Sequence, residues 1–166
     1  MNPVIIGKAT LYNMDCMGDL ECGKAGEYLV CADLIIKGYV AFPSEQGLPY
    51  DVVMEANGKL LKVQVKTTRG LRNVPQRKIP VNSYIFNIKR CGKGNSKLAN
   101  DETCHIYALV ALDTKEIGYM LNKDVKQTMN FRANSYRGNY KDENINVVSI
   151  GKYLTDMKLE DCLCQL

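Results

Sequence analysis

A single dipeptide, Asn57-Gly58, does most to restrict the folds open to this chain. It lies between residues 48–56 and 59–67, two stretches rich in valine, leucine and other strand-forming residues. Asn-Gly is the preferred sequence of a two-residue hairpin turn, so the two stretches are predicted to pair as antiparallel strands. A turn of this length fixes the register, and positions whose numbers sum to 115 are predicted to face each other.

The predicted register gives the hairpin one apolar face and one polar face. Its apolar pairs are Tyr50 with Val65, Val52 with Val63, and Met54 with Leu61. On the polar face Asp51 lies opposite Gln64, with Cβ atoms about 5 Å apart. Lys66 projects from the same face two residues later. The hairpin therefore brings a carboxylate, an amide and an amine together.

A helix is predicted before the hairpin, from Leu20 to Lys37, with Asp19 as its N-cap and Gly38 at its C-terminal end. Its apolar positions, expected to form the buried stripe, are Ala25, Tyr28, Leu29, Ala32, Ile35 and Ile36. Glu27 lies at the edge of this stripe. Glu27 is therefore a fourth polar group that can approach the hairpin.

These side chains suit a magnesium site. Mg²⁺ prefers oxygen ligands and keeps several water molecules, and Asp51, Gln64 and the Val65 carbonyl supply such oxygens. Glu27 is expected to bind the metal directly or through water. Lys66 is expected to orient or help deprotonate an attacking water and to stabilise charge on a phosphorane. Polar residues on one strand face also occur as an ordinary solvated surface.

The charge of the following segment favours the catalytic interpretation. Residues 56–100 contain no acidic residue and eleven basic ones, so they carry +11 while the rest of the chain carries −7. A block this one-sided is expected to meet a polyanion, and DNA is the predicted partner. The predicted DNA-binding residues are Lys62, Arg69, Arg72, Arg77, Lys78, Lys89, Arg90, Lys93 and Lys97, with Arg132 and Arg137 from a later cluster that mixes arginine and aromatic residues. Residues 69–101 are interpreted as a basic arm.

The remaining pattern predicts further strands and short helices. Strands are expected at Tyr39–Phe42, Ser83–Ile88, Cys104–Leu112 and Ile117–Leu121, with weaker signals near residues 4–6 and 145–150, and a short helix at Asn122–Thr128. Residues 89–101 are interpreted as a mobile loop, and 152–166 as weakly helical. The order of elements indicates one α/β domain over residues 1–166, with a core at about 19–150.

Three segments resemble the PD-(D/E)XK nuclease superfamily. They are Leu48-Pro49-Tyr50-Asp51, Val63-Gln64-Val65-Lys66-Thr67 and Gly23-Lys24-Ala25-Gly26-Glu27. The last is similar to the helix signature of archaeal-type Holliday junction resolvases. The glutamine at the third motif position is closer to the branch that includes group I intron homing endonucleases. The likeness covers about residues 23–150, and only residues 48–67 are specific.

The resemblance implies a restriction-endonuclease-like core, in which helices flank a central mixed β-sheet. It implies metal binding by Glu27, Asp51 and Gln64 and a catalytic role for Lys66. It also implies dependence on Mg²⁺, with Mn²⁺ expected to substitute, and a homodimer or a dimer of dimers. Gln64 replaces the usual acid, which removes one negative charge from the site and is expected to weaken metal affinity.

The predicted function is a metal-dependent endonuclease that hydrolyses phosphodiester bonds in duplex or branched DNA. A homing endonuclease and a Holliday junction resolvase of DNA recombination both remain open. Both need two active sites at a fixed spacing, so both predict a symmetric oligomer. One alternative is a catalytically inactive DNA-binding protein on a nuclease scaffold. Another is an interaction or immunity-type protein on the same scaffold.

Other classes of protein fit the sequence poorly. The seven cysteines include no Cys-x-x-Cys pair and are interpreted as reduced thiols. The spacing of Cys162, Cys164 and the single histidine, His105, fits no usual zinc site, and His105 is interpreted as structural. Neither a signal peptide nor a membrane span is predicted. The expected location is the cytoplasm, in association with the nucleoid, and a phage or mobile-element origin is compatible with so compact an enzyme.

Overall fold

The computed structural model describes residues 17–73, 82–88, 103–132 and 153–166. Its helices and strands are α1 (Asp19–Ile36), β1 (Val40–Pro43), β2 (Val52–Ala56), β3 (Lys59–Thr68), β4 (Arg72–Asn73), β5 (Asn82–Asn87), β6 (Ile106–Ala111), β7 (Glu116–Leu121), β8 (Thr128–Arg132) and α2 (Leu159–Leu163). The strands predicted near 4–6 and 145–150 and the loop predicted at 89–101 lie outside the described residues. In the described ranges, none of the helices is long and apolar enough to span a bilayer.

The centre of the fold is a five-stranded sheet with the order β1-β2-β3-β6-β7. β3 and β6 run parallel and the other neighbours run antiparallel, so the sheet is mixed, as predicted. Helices α1 and α2 contribute to the hydrophobic cluster on one face of this sheet. A second sheet, in the order β4-β5-β8, contributes to the cluster on the other face. The predicted restriction-endonuclease-like arrangement of a mixed sheet with helices is confirmed.

Strand β6 lies between the two clusters and is buried throughout its length. Ile106, Ala108 and Val110 belong to the cluster with the helices. Tyr107 and Leu109 belong to the cluster with the second sheet. Because successive side chains of a strand point to opposite faces, a strand covered on both faces is apolar at every position.

The predicted hairpin register is confirmed for β2 and β3, where Val52 faces Val63 and Met54 faces Leu61. Asn57 and Gly58 have positive φ angles of 53° and 73°, as the preferred two-residue hairpin turn requires. The prediction fails at the far end of the hairpin.

Strand β2 starts at Val52 rather than at residue 48. Tyr50, which was expected to face Val65, instead packs against the cluster under the second sheet, whereas Val65 belongs to the cluster under the helices. The ladder between the two strands is therefore shorter than the sequence pattern indicates.

The limits of α1 agree closely with the predicted helix. Gly38 follows its C-terminal end with a φ of +91°, and the N–H groups of Gly38 and Tyr39 bond to the carbonyls of Ile35 and Leu34. These two bonds form a Schellman motif, in which glycine is favoured because of its positive φ. The predicted N-cap is wrong by one residue, because Gly18 is the N-cap and Asp19 begins the helix.

The buried face of α1 differs from the predicted stripe. The buried residues are Cys22, Gly26, Val30, Cys31 and Leu34. Tyr28, Ile35 and Ile36, which were predicted to be buried, are exposed. At Gly26 the backbone of the helix packs directly on the sheet, because a Cβ atom there would lie 2.0 Å from Thr67 Oγ1 on β3.

The helix predicted at Asn122–Thr128 is also wrong in extent. A short 3₁₀-helix occupies Asn122–Asp124, and Thr128 begins β8. The Asn122 side chain does not cap this helix; it donates a 2.9 Å hydrogen bond to the Cys104 carbonyl. The weak helical signal at the C-terminus corresponds to a 3₁₀-helix at Leu154–Asp156 and to α2.

Candidate active site

The candidate site lies where β3 extends beyond its partner β2. β2 pairs with β3 only as far as Val52 and Val63, whereas β3 pairs with β6 from Val63 to Thr68. Among the described residues, no strand therefore pairs with the last five residues of β3 on this side, which is called the uncovered edge below. It lines one cleft together with Asp51, just before β2, and with the N-terminal half of α1.

The backbone groups at this edge follow from the alternation of a strand. The carbonyls of Lys62 and Thr68 point towards β6, where they accept hydrogen bonds of 2.9 and 3.0 Å from the N–H groups of His105 and Leu112. Because the direction of the peptide groups alternates, those of Val65 point to the uncovered side. The predicted Val65 carbonyl ligand is thus directed towards the candidate site.

Asp51 is held at this edge by its own side chain. Its N–H donates to the Val63 carbonyl over 2.9 Å. Its Oδ2 accepts a 2.7 Å hydrogen bond from the Val65 N–H and another from the Gln64 side-chain amide. In a continued ladder the Val65 N–H would face the Tyr50 carbonyl, so the Asp51 carboxylate has replaced a backbone acceptor.

Burial raises the pKa of the Asp51 carboxyl, and the nearby Glu27 carboxylate also raises it. The Val65 N–H and the charge of Lys66 act in the opposite direction. A half-buried carboxylate that has lost part of its hydration is stabilised by a cation. The position of Asp51 therefore favours a metal ligand over an ordinary surface residue.

Glu27 approaches the same edge from α1. Its side chain is 19% exposed, and its Oε2 accepts a 2.6 Å salt bridge from Lys24 one turn earlier. The preceding residue, Gly26, is the point at which α1 packs on Thr67. The close approach at Gly26 therefore sets the position of Glu27 relative to β3.

One cleft contains all four residues that were predicted to be catalytic. It is lined by Glu27, Asp51, Gln64 and Lys66, together with Val65, Thr67, Thr68, Arg69, Arg72, Asp19, Cys22 and Gly23. The cleft, called the basic cleft below, thus combines the predicted metal ligands with three cationic side chains. This convergence favours a binding site over an ordinary solvated strand face.

The oxygen atoms of the basic cleft suit Mg²⁺. Its carboxylates of interest are Glu27 and Asp51, and its neutral oxygens are the Gln64 amide and the Val65 carbonyl. Mg²⁺ accepts such a set because it uses few protein ligands and retains water. The described ranges hold no group of three His, Cys, Asp or Glu that would bind a metal. Because position 64 is a glutamine, only two of the predicted metal ligands, Glu27 and Asp51, are acids.

The predicted DNA-binding residues occupy different environments. Arg72 is exposed at one end of the basic cleft. Arg69 also lines it, but its Nη2 donates to the Met17 carbonyl over 2.6 Å and to Asp19 Oδ1 over 2.7 Å. Arg69 therefore ties the end of β3 to the start of α1, in addition to placing a positive charge in the cleft.

The structure also describes Arg132 and Lys62. Arg132 is only 8% exposed, so its burial does not support the predicted contact with DNA. The Lys62 ammonium lies 5.6 Å from the centre of the Tyr50 ring. The other predicted DNA-binding residues lie outside the described residues; they are Arg77, Lys78, Lys89, Arg90, Lys93, Lys97 and Arg137.

The structure also places residues that the sequence pattern did not indicate. Lys24 is the salt-bridge partner of Glu27, and its spacing of three residues on a helix was an available signal. The Thr67 hydroxyl is buried without a hydrogen-bond partner in the described part of the chain. No local pattern identifies Thr67, because its environment depends on the packing of α1 on β3. His105 is structural, as interpreted, since its Nδ1 accepts a 2.9 Å bond from the Lys62 N–H.

Comparisons with known proteins concern the family and the fold of this chain. The model of a PD-(D/E)XK endonuclease family matches residues 17–147. A solved structure of a bacterial homing endonuclease, I-Ssp6803I, is similar to this chain with a TM-score of 0.51 and 15% sequence identity. The likeness covers 69% of this chain and 75% of the other and concerns the fold. No curated protein matches the chain.

Proposed function

The chain belongs to the PD-(D/E)XK endonuclease family, and on that premise we propose that it is a Mg²⁺-dependent endonuclease acting on duplex or branched DNA. The proposal rests on the basic cleft, in which Glu27, Asp51, Gln64 and Lys66 meet the cationic side chains of Arg69 and Arg72. Carboxylates next to three cations suit a substrate that is itself anionic and that is cut with the help of a metal.

Four groups of the cleft would share the binding of the metal. Glu27, Asp51, the Gln64 amide oxygen and the Val65 carbonyl would hold Mg²⁺, which supplies Lewis-acid polarisation of the phosphate and a lower pKa for attacking water. Asp51 keeps a fixed orientation because the Val65 N–H holds its Oδ2. The Gln64 amide nitrogen now donates to Asp51. A half-turn of this amide would bring its oxygen to the position of the nitrogen, where it could bind the metal.

The cations of the cleft act on the substrate. Lys66 lies two residues from Gln64 on the same strand face, so its ammonium can orient the attacking water and balance the charge that develops on the phosphorane. Arg69 and Arg72 lie farther along the cleft, where they would bind phosphates of the same strand.

A second candidate function is DNA binding without catalysis. The observation that favours it is the composition of the site, where Gln64 replaces an acid and donates to Asp51. Glu27 is also already paired, with Lys24 at 2.6 Å. A site with these features can bind phosphates through its cations while holding a metal too weakly for hydrolysis.

A cleavage panel tests the proposed function. Purified protein is mixed with a four-way junction, a flap, linear duplex and supercoiled plasmid, each with Mg²⁺, with Mn²⁺ or with chelator. The panel includes both branched and duplex DNA because a resolvase and a homing endonuclease differ in this choice. Lys66→Ala is the test variant, and Lys123→Ala, which removes an exposed lysine of a 3₁₀-helix, is its matched control.

We expect metal-dependent cutting by the wild type and by Lys123→Ala, and none by Lys66→Ala. Cutting by Lys66→Ala at the wild-type rate would contradict the assigned site. Salt-dependent binding without cutting of the panel, in either metal, followed by target selection from random duplex that yields no cut site, would support the second candidate. Light scattering on the purified protein without DNA tests the predicted homodimer or dimer of dimers.

A further inference from the structure

We propose that a second hollow beside the basic cleft binds a nucleoside of the strand being cut, through its base and sugar rather than its phosphate. The hollow lies between the first turns of α1 and the loop 44–50, and Leu20, Glu21, Lys24, Glu45, Leu48 and Tyr50 line it. This inference rests on the proposed function, which it extends by naming what lies next to the reacting phosphate.

The two hollows are neighbours because they share Glu27 and Asp51. A phosphodiester bond has one nucleotide on each side of it. A strand whose reacting phosphate lies at Glu27 and Asp51 must therefore continue in both directions from these two residues. We assign one direction to the basic cleft and the other to the second hollow, because both hollows border these two residues.

The charges of the two hollows differ in sign. Apart from the shared carboxylates, the basic cleft carries Lys66, Arg69 and Arg72 against one acid, Asp19. The second hollow carries two acids, Glu21 and Glu45, against one cation, Lys24.

Lys24 does little to balance those acids, because its ammonium is already paired with Glu27 at 2.6 Å. A phosphate entering the second hollow would therefore be repelled. An amino group of a nucleobase would instead find carboxylate acceptors there.

Two leucines give the second hollow an apolar surface. Leu20 is 87% exposed and Leu48 is 46% exposed, on opposite walls formed by α1 and by the loop. Covering exposed leucines with a flat apolar surface is favourable because it removes them from water. The faces of a nucleobase are such a surface. Apolar walls with acidic acceptors are thus complementary to a base and poorly complementary to a phosphate.

The wall formed by the loop is fixed to Asp51 itself. The Ser44 N–H donates to the Asp51 carbonyl over 2.9 Å, and the Ser44 hydroxyl donates to the Tyr50 carbonyl over 2.5 Å. Gly47 allows the tight loop by adopting a φ of +97°. A nucleoside that fills the hollow would therefore contact a wall that is continuous with the Asp51 backbone, and this would help to align the phosphate with the carboxylate.

A combined variant and substrate experiment tests the inference. The substrate is an oligonucleotide that carries the bond cut by the wild type in the cleavage panel. Two further substrates carry an abasic sugar in place of the nucleotide on one side or the other of that bond. The variants are Leu48→Ala and Leu20→Ala, and the matched control is Leu60→Ala. The Leu60 side chain is 65% exposed and lies at the other end of β3, beside the hairpin turn.

We expect Leu48→Ala and Leu20→Ala to slow cleavage of the intact substrate by about fivefold or more, as for lost contacts to a base. On one of the two abasic substrates the variants should cleave as fast as the wild type, because the base that they contact is missing. Leu60→Ala should match the wild type throughout.

Unchanged cleavage of the intact substrate by both test variants would overturn the inference. Equal slowing on intact and on both abasic substrates would also overturn it, because the leucines would then act independently of a base. A wild-type protein that cuts no DNA would instead count against the proposed function, so the two failures are distinguishable.

Discussion

The Asp51 carboxylate accepts a 2.7 Å hydrogen bond from the backbone N–H of Val65, on the strand that it faces. The same oxygen accepts from the Gln64 side chain. A residue of the proposed metal site therefore also closes the end of the β2–β3 ladder. Its structural role and its chemical role can be separated by the choice of substitution.

Asp51→Asn should keep the fold but lose the metal. Its side-chain oxygen can still accept from the Val65 N–H, and the buried charge is removed, so stability without metal should equal or exceed that of the wild type. Asp51→Ala leaves that N–H without its acceptor and should lower the free energy of unfolding by about 1–3 kcal/mol.

Urea unfolding without metal measures the change in stability, and thermal unfolding with and without Mg²⁺ measures the loss of metal binding. Mg²⁺ should raise the Tm of the wild type and leave that of Asp51→Asn unchanged, because a ligand that binds only the native state stabilises it. An equal Mg²⁺-induced rise in Tm for both proteins would show that Asp51 is not a metal ligand.

Gly26→Ala and Gly23→Ala should have opposite effects on stability. A Cβ at Gly26 would lie 2.0 Å from Thr67 Oγ1, so Gly26→Ala should cost about 1–3 kcal/mol and displace Glu27. A Cβ at Gly23 meets no atom within 4 Å, so Gly23→Ala should stabilise α1 by about 0.5–1 kcal/mol. Because Gly23 lines the basic cleft, its new methyl group should nevertheless weaken DNA binding.

Chemical denaturation and a DNA-binding titration check this pair. Adding Thr67→Ala to Gly26→Ala should recover part of the lost stability, because the hydroxyl that the new methyl group meets is then absent. A Gly26→Ala protein as stable as the wild type would contradict the close packing of α1 on β3.

Cysteine reactivity should separate one exposed thiol from four buried ones. Cys164 is exposed, whereas Cys22, Cys31, Cys104 and Cys162 are buried. Burial raises the pKa of the Cys162 thiol to about 11 and also raises that of Cys31. Since the thiolate is the reactive form, both should be almost unreactive at pH 8 in the folded protein.

Alkylation with iodoacetamide, followed by peptide mass spectrometry, measures these differences. Of the five cysteines that the structure describes, Cys164 should be modified first, and the four buried ones should follow only after the protein is unfolded in urea. Modification of Cys162 as fast as Cys164 in the native protein would mean that α2 does not pack as described.

Tyr119→Phe should weaken the attachment of α1 to the edge of the sheet. The Tyr119 hydroxyl donates a 2.6 Å hydrogen bond to Asp33, which also forms a 2.5 Å salt bridge with Lys37. Loss of a buried hydrogen bond to a charged acceptor should lower the free energy of unfolding by about 1.5–3 kcal/mol. The matched control is Tyr28→Phe, on the exposed side of the same helix, which should be neutral.

Urea unfolding compares the two variants. Burial and the Asp33 carboxylate raise the pKa of Tyr119, so its hydroxyl stays protonated and can donate at neutral pH, where the experiment is done. Equal stability of Tyr119→Phe and Tyr28→Phe would show that the bond to Asp33 contributes nothing measurable.

The parts of the fold that depend on residues close together in the sequence could be predicted from the sequence. The hairpin register follows from a two-residue turn, and the end of α1 follows from Gly38, so both were correct. The same register brings Gln64 and Lys66 close to the start of β2, where Asp51 lies.

The errors concern contacts between distant segments. The apolar stripe predicted for α1 failed because the helix approaches the sheet through Gly26, and long apolar residues such as Ile36 remain exposed. The ladder ends early because the Asp51 side chain takes the Val65 N–H, which no alternation of residue types reveals. The bonds of Arg69 to Met17 and Asp19 were not predicted, because they join segments about 50 residues apart in the sequence.

The uncovered edge of β3 has a further consequence. A strand edge with open peptide groups is a place where a strand from another molecule can add and start aggregation. Here the Val65 N–H of that edge is already occupied by the Asp51 carboxylate, and Lys66 lies next to it on the same strand. The charged groups proposed to cut DNA thus also protect this edge of the sheet from other polypeptide chains.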